Sequence, residues 1–193
     1  APPFEGLRML LSLGMTDGYT AVAGEHDVCM ALDATRAHSH SPSSRELYVP
    51  LCQEDDTPGQ CALLGKSMCG TRDAAANWQT FSNSVCETAG FEAGKANPCL
   101  LYNAKLRMWC FKHGDDFVLG GRRRDLHDML DILGKDIELK CKGVLGPRPD
   151  LGGCQEVRVL NRLLQFVTEE ESGLPAIEIE ADPRHADILM KSL

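Results

Sequence analysis

Two apolar runs that meet at a tight acidic turn constrain this chain more than any other feature. In "LRMWCFKHGDDFVLGG", residues 106–121, a strand-like run enters the turn His113-Gly114-Asp115-Asp116 and a second, "FVLGG", leaves it. Strand-forming residues on both sides of a glycine-bearing turn predict a β-hairpin with two aspartates at its tip. Both runs are apolar enough to be buried. The carboxylates would therefore project from a rigid sheet edge, where motion does little to relieve their mutual repulsion.

The rest of the chain alternates helices and strands around that hairpin. Residues 7–17, "LRMLLSLGMTD", are apolar and rich in helix formers, with Gly18 as a stop signal. Residues 26–33, "HDVCMALD", form a short apolar run suited to a buried strand and ending on Asp33. Turn-forming "SPSSREL" (41–47) leads into "LYVPL", and "CQEDDTPGQC" (52–61) reads as an exposed acidic loop. In residues 72–90 Trp78, Phe81, Val85 and Ala89 recur at helical steps, and Gly90 closes the helix. "PCLLYN" (98–103) is a further strand, and Leu126, Met129, Leu130 and Leu133 mark a helix over 122–136. Strand-like "EVRVLNRLLQFV" and "AIEIEA" follow, with a terminal helix opening near Asp182 and Pro183. Helices mixed with hairpin-linked strands predict an α+β fold rather than a doubly wound parallel sheet.

Composition excludes several classes. At 193 residues the chain can bury one ordinary core. No apolar run approaches the roughly 20 residues of a membrane helix, and the N-terminal residues lack the pattern of a signal peptide. The expectation is an intracellular protein without membrane contact. Ala1 in place of methionine predicts a cut point inside something longer. The nine cysteines include no C-x-x-C pair and are odd in number, which predicts reduced thiols rather than a zinc or disulfide framework. His38 and His40 in "RAHSH" would share a strand face, but two histidines do not complete a tetrahedral site. A net charge of −8 opposes a general nucleic-acid coat. Half of the twenty Lys and Arg nevertheless lie between Lys105 and Arg148, including Arg122-Arg123-Arg124, which reads first as a solvated helix start.

The paired aspartates admit two readings. An Asp-Asp turn is ordinarily just a solvated turn. Here a divalent cation would relieve the repulsion between them, because hard carboxylate oxygens are the ligands Mg²⁺ selects. Asp33, ending its apolar run, is the third acid that a neighbouring strand could bring to the hairpin tip. One and two aspartates from adjacent strands suit a two-metal clamp on a transferring phosphoryl group.

"ALLGKSMCGTRDAAANWQTF", then "GFEAGKANPCLLYN", "KHGDDFVLGG" and "VLNRLL" resemble, in order and spacing, the reverse transcriptase of copia-type retrotransposons. In that family K-S-L-Y-G-L-K-Q-A-P-R-A-W precedes a G-F element ending L-Y and then a Y-V-D-D hairpin. Lys66 to Trp78, Gly90 to Tyr102 and His113 to Asp116 are similar to these, and "LDATRAHSH" is similar to the family's L-D-V-K-T-A-F-L-N element. The resemblance runs from about Leu7 to Leu193.

It implies an antiparallel palm sheet with a ferredoxin-like core, helices packed on one face and the carboxylates on the other. Residues 1–193 would form one palm-like domain, truncated at the fingers before it and the thumb after it. By resemblance Asp33 and Asp115 are the main metal ligands, Asp116 the supporting acid, and the Ala34 carbonyl a further ligand for two Mg²⁺ or Mn²⁺ ions. Ala37 and His38 would lie under the sugar of an incoming deoxynucleoside triphosphate, His38 where the family has Phe or Tyr. Gly70 and Asp73 would face nucleotide and template, Asp73 where the family has Gln. The implied partners are an RNA or DNA template with primer and the RNase H and integrase parts of a Pol polyprotein, in cytoplasmic virus-like particles or the nucleus. Tyr-Val before the acids has become His113-Gly114, and the tyrosine of K-S-L-Y-G has become Cys69. Three readings stand: an RNA-directed DNA polymerase, a non-catalytic palm that binds nucleic acid or protein, and a metal-free thiol-rich domain with a solvated turn.

Overall fold

The computed structural model describes residues 3–15, 27–55, 57–146, 153–170, 173–180, 188, 190 and 191. Its centre is a six-stranded antiparallel sheet. Four strands carry most of it: β1 (Asp27–Ala34), β6 (Met108–His113), β7 (Asp116–Arg122) and β8 (Leu139–Leu145). The order is β4 (Glu92–Ala93), β5 (Leu100–Asn103), β6, β7, β1, β8. Separate from it are a ribbon of β2 (Tyr48–Val49) and β3 (Ala62–Leu63) and a three-stranded sheet of β9 (Glu156–Val159), β10 (Arg162–Thr168) and β11 (Pro175–Ile179), which packs on one face of the main sheet.

Helix α2 (Ala74–Thr88) lies between β1 and β6 in the chain, and α3 (Arg123–Leu133) between β7 and β8. The path β1-α2-β6-β7-α3-β8 thus interleaves two crossovers, with β7 lying between β1 and β6, and β1 between β7 and β8. Both helices share one face. Strand alternation sends Met30, Leu32 and Ala34 of β1 and Phe117 and Leu119 of β7 to that face, where they pack with Trp78, Val85, Leu126, Met129 and Leu133. Helix α2 stops where Gly90 takes φ 89°, its N–H donating to the Glu87 carbonyl while Phe91 N–H reaches Cys86. These bonds cap the last carbonyls, and Phe91 is buried just beyond them.

The expectation that helices occupy one face alone is corrected by α1 (Pro3–Gly14). Its Leu7, Leu10 and Leu11 pack on the opposite face with Cys29, Ala31, Trp109, Phe111 and Val118, and with Val157, Val159 and Leu164 of the small sheet. The cause lies in β6, whose residues 108–112 are all buried: a run apolar on both sides needs cover on both. Trp109 also explains the first glycine of the pair in "FVLGG". It pairs with Gly120 across the strands, and a Cβ on Gly120 would sit 1.9 Å from the indole Cε2.

Other expectations differ in detail. Helix α1 begins earlier than residue 7, and its expected end at Asp17 and Gly18 lies outside the described residues. "EVRVLNRLLQFV" is two strands, because Leu160 (φ 47°) and Asn161 (φ 61°) make a two-residue turn between Val159 and Arg162. The helix opening at Asp182 and Pro183 falls in residues 181–187, outside the described part. His38 and His40 stand in a 3₁₀ turn, Ala37–His40, rather than on a strand. All nine cysteines are free thiols, with Cys29, Cys86 and Cys110 buried. Among the described residues no helix is long and apolar enough to cross a membrane.

Candidate functional site

The hairpin tip forms as the sequence predicts. β6 ends at His113 and β7 begins at Asp116, directly opposite, so Gly114 and Asp115 make a two-residue loop. Gly114 takes φ 61° while Asp115 does not have positive φ, the pattern of a turn with glycine first. The turn is anchored twice. Ala34 N–H donates to the Asp115 carbonyl (2.8 Å), and the Trp78 indole Nε1–H donates to the Gly114 carbonyl (2.7 Å). Trp78 is itself held among the rings of His40, Phe81 and Phe117.

Asp33 sits opposite Asp116 in the β1–β7 register. Both are on the face away from α2 and α3, since Asp33 alternates with Leu32 and Asp116 with Phe117. Their carboxylates converge on one cation, the Lys142 ammonium, at 2.8 Å from Asp33 Oδ1 and 2.7 Å from Asp116 Oδ1. The two oxygens are therefore no farther apart than the sum of those distances. Burial alone would lower the Lys142 pKa, but the hydrogen bonds and charges of Asp116 and Asp33 outweigh it and raise it above the ordinary lysine value.

Strand alternation alone misplaces Lys142, because it stands on a β-bulge. Ala31 pairs with Gly143 and Leu32 with Cys141, which leaves Lys142 as the extra residue. Val144 packs on the helix-covered face and Leu145 on the other. Strict alternation back from them would send Lys142 to the helix side. The bulge turns it to the acids instead, as bulges beside functional sites do.

Asp115 is exposed and lines a cleft of about 520 Å³ on the other side of the turn. Ala34, Ala37 and His38 line the same cleft, with Met68, Cys69 and Trp78 across it. Arg36 takes the left-handed conformation, φ 52°, as the chain turns from β1 into the 3₁₀ segment, and pairs with Glu138 at 2.9 Å. Gly70 and Asp73 are not among the cleft's lining residues. Gly70 is an exposed turn glycine with φ 91°. Asp73 accepts hydrogen bonds from Ser44 (2.9 Å) and Arg45 (3.2 Å), and these, with its own backbone, hold its carboxyl below the usual value against a smaller opposing effect of burial. Lys66 donates to the His40 carbonyl (2.9 Å) and so ties the "KSMCG" segment to the 3₁₀ turn. Arg122 pairs with Asp125 across the first turn of α3, where an acid suits the helix dipole and three arginines do not.

The residues fit one cation between Asp33 and Asp116, because an ammonium already occupies that seat. They do not assemble a larger ligand set: among the described residues no three His, Cys, Asp or Glu side chains come together to hold a metal ion. Neither a protein-family model nor a curated protein matches the sequence.

Proposed function

We propose that the chain is the palm of a copia-type RNA-directed DNA polymerase, joining deoxynucleotides to a primer on an RNA template. The observation that carries this reading is the register of Asp33 with Asp116, their carboxylates meeting on a single ammonium. The interleaved path β1-α2-β6-β7-α3-β8, in the order β8-β1-β7-β6, supports the ferredoxin-like palm that the resemblance implies. The cleft beside Asp115, floored by Ala37 and His38, supports a nucleotide there. Its volume suits a drug-sized or nucleotide-sized ligand.

The resemblance makes Asp33 and Asp115 the main ligands and Asp116 the supporting acid; because Asp33 stands opposite Asp116 and Asp115 is exposed on the turn, these roles exchange here, so that Asp33 and Asp116 would hold the divalent cation and Asp115 would be the supporting acid. A bound divalent ion supplies Lewis acidity toward the attacking hydroxyl and charge toward the phosphates. The chain's own part is positioning. Trp78 fixes the turn, the Ala34 N–H fixes Asp115, and the 3₁₀ segment presents Ala37 and His38 to the sugar.

A second reading, a palm that binds nucleic acid or protein without catalysis, is favoured by two observations. Lys142 already offsets one of the two negative charges of the acid pair, and Asp73, standing where the family has glutamine, is tied to Ser44 and Arg45. Primer extension on poly(rA)/oligo(dT) with Mg²⁺ separates them. The polymerase reading expects extension by the native chain and its loss in Asp33→Asn and Asp116→Asn. Extension unchanged by both substitutions removes the assigned site, and primer–template binding without extension selects the second reading.

A further inference from the structure

We infer that Lys142 is the resident counter-ion of the Asp33–Asp116 pair and that a divalent cation enters the site only by displacing it. This rests on the proposed reading in one respect, that the acid pair is the cation site. The geometry is that of a constructed seat. A single ammonium bridges two carboxylates from different strands at 2.8 and 2.7 Å, and a bulge in β8 is what brings it there. A bulge interrupts a sheet ladder, so the strand gives up regular pairing at the one residue that reaches the acids. Without it Lys142 would point toward Leu32 and Val144, into the apolar layer under α2 and α3.

Occupancy is exclusive. Mg²⁺ binds carboxylate oxygen at about 2.0–2.1 Å, closer than an ammonium nitrogen can approach, and two cations on the same oxygens repel. A metal that takes the two Oδ1 atoms Lys142 holds requires the lysine to withdraw, and about a third of its side chain is open to solvent, so a path outward exists. Lys140 provides the internal comparison. It is the cross-strand partner of Asp33 on the same strand and carries the same charge, but it makes no ion pair with either aspartate.

The test is equilibrium binding of Mn²⁺ alone to the full chain, followed by the paramagnetic signal of the free ion, with thermal melting run beside it. If the ammonium holds the seat about nine-tenths of the time, removing it tightens apparent Mn²⁺ affinity about tenfold. Lys142→Met is expected to bind Mn²⁺ about tenfold more tightly than the native chain, and Lys140→Met no more than about twofold more tightly. Lys142→Met/Asp116→Asn is expected to lose the gain. Lys142→Met is also expected to melt lower than the native chain without metal and to recover with Mn²⁺. Lys142→Gln serves as the second variant, keeping length and polarity if the methionine disturbs folding. Equal or weaker Mn²⁺ binding in both Lys142 variants overturns the inference while leaving the metal reading intact. No Mn²⁺ binding by any variant overturns both.

Discussion

Gly120→Ala adds one methyl group at the point where the sheet is tightest. The new Cβ would lie 1.9 Å from Cε2, 2.0 Å from Cζ2 and 2.5 Å from Nε1 of Trp109. Carbon atoms in contact sit about 3.5–4.0 Å apart, so the indole must retreat by nearly 2 Å. The space it borders, a cavity of about 10 Å³ shared with Leu11, Gly14 and Phe166, is too small to take an indole shifted that far. Trp109 is 2% exposed, and a Cβ on Gly14 would be only 3.7 Å from its Nε1, which places α1 against the ring. Overpacking costs about 1–3 kcal/mol where side chains can adjust, and this site belongs at the upper end, about 3 kcal/mol. Urea unfolding followed by far-ultraviolet circular dichroism measures it. Trp109→Phe in the same chain is the control. It shortens the ring, so the double variant is expected to be more stable than the sum of the two single effects by at least about 1 kcal/mol. A Gly120→Ala protein within about 0.5 kcal/mol of the native chain, or strict additivity with Trp109→Phe, would refute the packing described for this face.

Trp78→Phe removes the donor to the Gly114 carbonyl and leaves space under the turn; about 2 kcal/mol of stability is expected to be lost, with weaker Mn²⁺ binding, and unchanged values in both would show that Trp78 does not anchor the turn. Lys112 is buried with Ser82 and Asn83 as partners, and burial lowers its pKa from the ordinary 10.5. The unfolded chain therefore binds more protons in the interval below 10.5, and its contribution to stability rises with pH across that interval. Lys112→Met is expected to raise the melting temperature at neutral pH and to remove that rise; an identical pH profile in both proteins contradicts it. Alkylation with iodoacetamide is expected to modify Cys52, Cys61 and Cys69 in the folded chain and to spare Cys29, Cys86 and Cys110 until urea is added. Burial withholds these three and also pushes Cys29 up to about 12 and Cys86 to about 11, so mapping the labelled peptides by mass decides the matter.

What the sequence made legible was local. The hairpin at 113–116, the helices about Trp78 and Leu126, and the strand ending at Asp33 follow from periodicity and glycine placement, because each is decided by its own residues. Asp33 beside Asp116 was reachable too, since an apolar strand ending in an acid has few places to go in an antiparallel sheet. Elsewhere tertiary context decided. Leu160 in a left-handed turn gives no compositional signal, so the β9–β10 hairpin read as one strand. The seat of α1 depends on β6 being apolar on both sides, which a single run of letters states only ambiguously. Lys142 depended on a one-residue shift of register, and a strand pattern read by twos sends it to the wrong face. By resemblance Asp73 would face nucleotide and template, but Ser44 and Arg45, close only in the fold, engage it.

The most direct test is anomalous diffraction from crystals of the full chain soaked in Mn²⁺. A peak bonded to the carboxylates of Asp33 and Asp116, with the Lys142 side chain swung out of its present seat, is the predicted result. Lys142 still bridging the two acids while manganese binds elsewhere, or not at all, would contradict the account.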